Sequence, residues 1–368
     1  MVIFLKNVVI WRLNKITIAG GGFMKKLPPQ FLKWFRNGFS MVLIMTLCSS
    51  ALLLFNSFPR NAPSFWHCLN YPVLALACLA LFLSWLIEAC RIWLIAAGLG
   101  DNIALAKVFK INLATSFIGN ITPFYSGGVP TQIFLLTQNG IKPGRASAIV
   151  TIRIIVSTLF FTMLAPFLLY SYHRNFSFGL TRQVTLAAIP VSILISVLLI
   201  AFIIKPRLAK LLTGFILKII HRTRFSRKVQ PFIEKFLAEL EVFHQSIREF
   251  RKAFHFYLVI LTTIGYWFCF FAVAPLLMGA FGLNIQGMFF KSILLQFILF
   301  FVVAYLPIPG GSGVMELGLF SVLSFVPIQL RAVLIIVWRC LSYHLSTFVG
   351  GIILLRFINQ RPSLEFPN

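Results

Sequence analysis

Around residue 310 the chain reads Leu306-Pro307-Ile308-Pro309-Gly310-Gly311-Ser312-Gly313-Val314-Met315-Glu316, inside one of its most apolar regions. The two prolines remove backbone donors, and the three glycines make left-handed or tightly turned backbone cheap. No regular helix continues through such a run. Within a bilayer, broken backbone survives only where protein or a water-filled cavity covers its free N–H and C=O groups. A carboxylate, Glu316, stands just past the break. Interrupted apolar segments of this kind point to the binding site of a transporter. The alternative is a loop between two ordinary spans, which leaves the glutamate to be explained.

The bilayer enters through composition. Of 368 residues 59% are hydrophobic and only 11% charged, too few to cover the surface of a soluble domain of this size. Several apolar stretches reach the roughly 20 residues that cross a bilayer as helix, and they lack the alternating polarity of a membrane barrel. The expected class is an all-α polytopic membrane protein. The net charge of +25 does not indicate nucleic-acid binding, because the basic residues flank apolar spans and no nucleic-acid module is present. The six cysteines show no metal spacing and fall mostly in apolar stretches, where they act as small apolar residues.

In chain order, residues 1–37 form a basic segment with seven Lys/Arg and no acid. It is either a cytoplasmic tail or, in part, an extension ahead of a start at Met24. Full spans are expected at 39–58, 71–98, 146–170, 184–204, 254–281 and 330–355. The second contains Glu88 and Arg91, three residues apart and so on one helical face, where they can pair. Arg91 could instead reach toward the interface. The third contains Arg153, and the sixth contains Arg339, Tyr343 and His344. Residues 205–252 form a cytoplasmic linker with twelve Lys/Arg, four Glu and an apolar stripe at Phe232, Phe236, Leu240, Phe243, Ile247 and Phe250. Such a helix lies on the inner leaflet or against the domain, or serves as a solvated linker. Residues 357–368 form a short cytoplasmic tail.

A second break, Pro123-Phe124-Tyr125-Ser126-Gly127-Gly128-Val129-Pro130, divides residues 104–136 into two pieces. The piece after it is too short to span, which favours a re-entrant hairpin. Each break is followed by an apolar piece, a polar turn and a span with one buried arginine. Pro123 stands 30 residues before Arg153, and Pro307 stands 32 before Arg339. With both termini, the region after the second span (Lys107 and Lys110), the turn ahead of residue 146 and the linker placed in the cytoplasm, that side holds 25 of the 33 Lys/Arg. The first hairpin then enters from the cytoplasm and the second from outside. The expected fold is six spans plus two re-entrant hairpins in an inverted repeat, spanning residues 38–356, a recurrent plan for alternating access.

No nucleophile–base set, metal motif or phosphate-binding glycine loop is present, so neither enzymatic chemistry nor a cofactor is expected. The intramembrane charges are Glu88, Arg91, Arg153, Glu316 and Arg339. Arginines outnumber acids, so pairing is incomplete. Converging guanidinium groups suit phosphate or another anion through forked, charge-assisted hydrogen bonds. Helix N-termini after the breaks would add positive potential. The candidate binding residues are therefore these five with Pro123, Gly127, Gly128, Pro309, Gly310, Gly311, Gly313 and Tyr343. The alternative is that the charges only tie helices together.

At these residues the chain resembles the bacterial flippase-like family, the transmembrane region of lysylphosphatidylglycerol synthases. Pro309-Gly310-Gly311-Ser312-Gly313-Val314-Met315-Glu316 is similar to its Pro-Gly-Gly-x-Gly-x-x-Glu, and Arg339 falls at its late arginine. Pro123, Gly127, Gly128, Pro130 and Arg153 match its earlier block, and Trp85 and Arg91 its second-span pattern. Val129, Gln132, Ile152 and Val156 stand where the family often has Glu, Arg, Glu and Asp. The loss of these acids counts against acid-based proton coupling and against a cationic headgroup. The family's full-length synthases carry a soluble transferase domain, which this sequence lacks. The resemblance thus implies translocation, across a bacterial inner membrane, of an anionic phospholipid or a polyprenyl-phosphate-type lipid. Two other roles fit the same features: a non-catalytic scaffold for an envelope lipid-modifying enzyme, and a secondary transporter of a small anion. The expected partners are membrane lipids, with a second copy of the chain or an envelope enzyme as protein partner.

Overall fold

The computed structural model describes residues 69–172, 254–304 and 308–359, with Leu306 and a few single positions between 190 and 250. The expected span at 39–58, most of that at 184–204, the basic segment 1–37, most of the linker 205–252 and the tail beyond 359 lie outside the described residues. Among the described residues all regular structure is helical. The helices are α1 (Tyr71–Gly98), α2 (Leu105–Asn120), α3 (Gly128–Gln138), α4 (Pro143–Tyr172) and α5 (His255–Ala280), then α6 (Phe289–Val303), α7 (Val314–Val322), α8 (Ile328–Arg339) and α9 (Ser346–Asn359).

Four stretches are long and apolar enough to cross a bilayer: Tyr71–Gly98, Pro143–Leu168, His255–Ala280 and Ile328–Phe357. They fall where four of the six spans are expected. The start of α1 follows from its sequence. Asn70 accepts a hydrogen bond from the Val73 N–H at 3.3 Å, and Pro72 sits in the first turn, where a missing N–H costs nothing. By contrast α2, α3, α6 and α7 have 16, 11, 15 and 9 residues. At 1.5 Å per residue none reaches the roughly 30 Å of a hydrocarbon core. Each pair forms a helix–break–helix hairpin.

The two breaks follow one backbone path. Pro123–Tyr125 and Pro309–Gly311 are single 3₁₀ turns, each opened by its proline. The next residue is left-handed in both, Phe124 at φ 54°, ψ 22° and Gly310 at φ 56°, ψ 12°. The residue after it is left-handed as well, Tyr125 at φ 56° and Gly311 at φ 64°. This corrects the register of the repeat. Pro123 corresponds to Pro309, not Pro307, because Pro309 occupies the first position of the turn. The interval to the arginine is then 30 residues in both halves.

The repeat also extends one helix further back than the sequence pattern indicates, because α1 precedes the first hairpin as α5 precedes the second. These two helices pack antiparallel. The Asn70 N–H donates to the Ala280 carbonyl at 2.8 Å, Val73 lies beside Gly279, Ile87 beside Gly265 and Gly98 beside His255. The two helices therefore run in opposite senses. The two units are interleaved: α2 packs on α9, and α6 on α4, so each hairpin leans on the long helix of the other unit. The α2–α9 approach depends on Gly350, where an added Cβ would run into the Leu113 carbonyl.

One apolar core gathers α1 to α4 with the start of α5, and another gathers α5 to α8 with the first half of α1. Between α4, α5 and α6 lies an aromatic cluster in which Phe161 stacks on Phe297 with centroids 4.5 Å apart. Pro275 interrupts the α5 ladder and frees the carbonyl of Phe271, four residues earlier. The buried side chain of Gln296 on α6 donates to that carbonyl at 2.9 Å. From the apolar stripe of the linker, Phe250 is described; it is buried against Gly98 and Phe256.

Candidate functional site

The predicted residues assemble into two charge clusters, one for each repeat. In the first, Glu88 and Arg91 share a face of α1 and form the ion pair expected from their spacing, at 2.7 Å. Arg153 of α4 joins them, its Nη1 donating to Glu88 at 2.8 Å. One carboxylate thus serves two guanidinium groups. The second Arg91 nitrogen donates to Ser157 at 2.8 Å and Thr263 at 3.2 Å, and the guanidinium lies 5.4 Å from the ring centre of Tyr266. Arg91 points into the helix bundle and is 1% exposed, which excludes a reach toward the interface.

In the second cluster Arg339 Nε stands 2.8 Å from the Glu316 carboxylate. Its Nη2 donates to the Gly310 carbonyl at 2.7 Å and to the Ser312 hydroxyl at 3.3 Å. The other Glu316 oxygen accepts from the Gly313 N–H at 2.6 Å. A single acid therefore caps α7 and neutralises the arginine that holds the break. This overturns part of the sequence reading. The N-terminus of α7 is not open to an incoming anion, because the protein's own carboxylate occupies it.

The breaks face each other. The 3₁₀ turn at Pro123 packs on that at Pro309, which also meets α2. Each seats a tyrosine. Tyr125 lies against Gly119 and Gly128, and Tyr343 lies over Gly310; a Cβ at any of these glycines would enter the ring. Tyr343 stacks on the Arg339 guanidinium at 4.0 Å and donates its hydroxyl to the Asn120 carbonyl at 2.9 Å. Asn120 in turn donates to Thr347 on α9 at 2.8 Å. The sixth expected span is not one regular helix. It loosens into a π-turn at Cys340–Leu345, which carries Tyr343. Gly127 donates its N–H to the Thr122 hydroxyl at 3.0 Å, and Gly311 lies beside Val303 and Met315.

All thirteen predicted residues thus lie at the two breaks or the two charge clusters. Ser157, Thr263, Tyr266, Tyr125, Asn120 and Ser312 belong to the same network and were not singled out. Thr263 and Tyr266 carried a usable signal, as polar groups inside the apolar run of α5. Gln132 is fully buried, and both of its amide atoms lack a hydrogen-bond partner among the described residues. Outside the clusters, Arg331 closes the turn between α7 and α8 by donating to the carbonyls of Phe320, Ser324 and Val326. Arg145 pairs with Asp101 at 3.1 Å. Among the described residues no group of His, Cys, Asp and Glu could hold a metal ion.

A membrane protein of Archaeoglobus fulgidus, named a UPF0104 membrane protein, is 27% identical over 289 residues, covering 77% of this chain and 86% of its own length. The family model for the lysylphosphatidylglycerol synthase TM region matches residues 38–350, which take in both breaks, both charge clusters, three of the long apolar helices and most of the fourth. The chain is a membrane protein of the lysylphosphatidylglycerol synthase transmembrane-region family.

Proposed function

We propose that the protein carries an anionic lipid, a phospholipid or a polyprenyl-phosphate-type lipid, between the leaflets of the inner membrane. The observation that carries this reading is the meeting of two broken helices, each beside a buried arginine, from repeat units whose first helices, α1 and α5, run in opposite senses. In a bilayer the two hairpins would be re-entrant, entering from opposite sides, with both termini cytoplasmic. Two packings related by exchange of the units would then expose the breaks to one leaflet or the other. Short helices support this, since their ends sit at membrane depth only where protein or water covers them. A lipid fits better than a bare small anion, because four of the five intramembrane charges carry almost no exposed surface and leave little for an aqueous path.

The test is reconstitution into vesicles with a fluorescent phosphatidylglycerol in both leaflets, read by quenching from outside. Wild-type protein is expected to render the inner-leaflet pool accessible, and Arg153→Leu and Arg339→Leu to slow this while remaining folded. Unchanged transport in both variants overturns the reading. No transport by the wild type, with an envelope enzyme retained on purification, transfers the assignment to a scaffold.

A further inference from the structure

The two clusters differ in charge. Glu316 and Arg339 balance one to one, and their side chains are 0% and 5% exposed. Glu88, Arg91 and Arg153, counted as ionised, carry a net +1. Arg153 is also the most open of the five charges, with its side chain 13% exposed. The Nε atoms of Arg91 and Arg153 are buried and have no hydrogen-bond partner among the described residues. The imbalance noticed in the sequence is thus confined to one place. It arises because the first break has Pro130 at the position of Glu316, so that Arg153 must share Glu88 with Arg91.

We infer that the Glu88–Arg91–Arg153 cluster is a binding site for one monoanionic phosphodiester, that of a lipid headgroup, whereas the Glu316–Arg339 pair is a permanent internal clamp. A net charge at this depth is costly, and a monoanion brings the cluster to neutrality. A dianionic phosphomonoester would overshoot to −1, and a zwitterionic headgroup would leave the +1 in place. Arg153 supplies the free edge of its guanidinium, and Ser157 and Thr263 hold Arg91 so that Glu88 stays shared. The inference rests on the proposed lipid function and narrows it to phosphodiesters, excluding polyprenyl monophosphates.

The experiment measures binding to the purified full chain by native mass spectrometry. The probes are dioctanoyl phosphatidylglycerol, phosphatidic acid and phosphatidylcholine, with dimethyl phosphate as a soluble phosphodiester. Phosphatidylglycerol is expected to bind about tenfold more tightly than either other lipid, the scale of one charge-assisted contact. Arg153→Gln is expected to remove that preference. Glu88→Gln, which raises the cluster to +2, is expected to move it to phosphatidic acid. If Glu88→Gln does not fold, the wild-type ranking and Arg153→Gln still decide. Phosphatidic acid bound as tightly as phosphatidylglycerol by the wild type overturns the inference, as does an unchanged preference in Arg153→Gln. Dimethyl phosphate bound as tightly as the lipid overturns the headgroup assignment. The ranking found without transport would retain the site and remove the carrier function; transport without the ranking would do the reverse.

Discussion

The Tyr343 hydroxyl donates to the backbone carbonyl of Asn120 at 2.9 Å, joining the π-turn of the second repeat to the end of the helix that enters the first break. The residues are 223 positions apart in the chain. This bond, the Asn120–Thr347 bond and the stacking of Tyr343 on Arg339 fasten the two breaks together. In the arrangement described, the site is latched.

Tyr343→Phe keeps the ring over Arg339 and removes the latch. It leaves the Asn120 carbonyl short of a partner, a loss of about 1–3 kcal/mol. The expected result is a lower thermal midpoint in detergent with faster lipid exchange between leaflets, because the latched arrangement loses more than one in which the breaks separate. A lower midpoint with slower exchange would show that Tyr343 serves the carried lipid instead.

Gln296 repairs the gap that Pro275 makes in α5. Gln296→Leu strands the Phe271 carbonyl in an apolar interior and is expected to cost about 1–3 kcal/mol. Pro275→Ala restores an N–H that can bond that carbonyl within the helix. The double variant should therefore be more stable than Gln296→Leu alone, as read from thermal midpoints. Additive losses would show that the amide does not serve the proline break.

Phe124 and Gly310 hold the same left-handed conformation at equivalent places in the two breaks. For a residue with a Cβ this costs about 1–2 kcal/mol, which glycine avoids. Gly310→Ala would add a Cβ directed into the Tyr343 ring, so it should lower the midpoint by more than strain alone. Phe124 is 55% exposed, so Phe124→Gly should be close to neutral or stabilising. The reverse order would mean that the Phe124 side chain is held by a contact outside the described residues.

Glu316 neutralises Arg339 and caps α7. Glu316→Gln keeps an acceptor for the Gly313 N–H but leaves a buried guanidinium without its counter-charge, at a cost of about 3–5 kcal/mol. Removing both partners, as Glu316→Leu with Arg339→Leu, should be less damaging than Glu316→Leu alone. A double-mutant cycle on urea midpoints in detergent checks this.

The broken segments were legible in the sequence because proline and glycine act locally, on their own dihedrals and their own N–H groups. The four long apolar helices were legible for a similar reason, since length and hydropathy are sums over neighbouring residues. The Glu88–Arg91 pair followed from helical periodicity. Glu316 was marked by its place just past the glycines, although its two tasks, capping α7 and neutralising Arg339, were not. The first break was harder to read, because Phe124 and Tyr125 take dihedrals that their residue types disfavour.

The sequence by itself determined the membrane class, the two breaks and the five charges that no bilayer tolerates unpartnered. Beyond the Glu88–Arg91 pair, tertiary structure alone decided which charges meet. It gave Arg153 to Glu88, 65 positions away, and so left one cluster balanced and the other at +1. It also set the repeat register at Pro309, fastened Tyr343 to Asn120 and turned the last span through a π-turn. The physical reason is range. Propensity and periodicity act over a few residues, whereas the pairing of buried charges is settled only when helices distant in the chain are packed side by side.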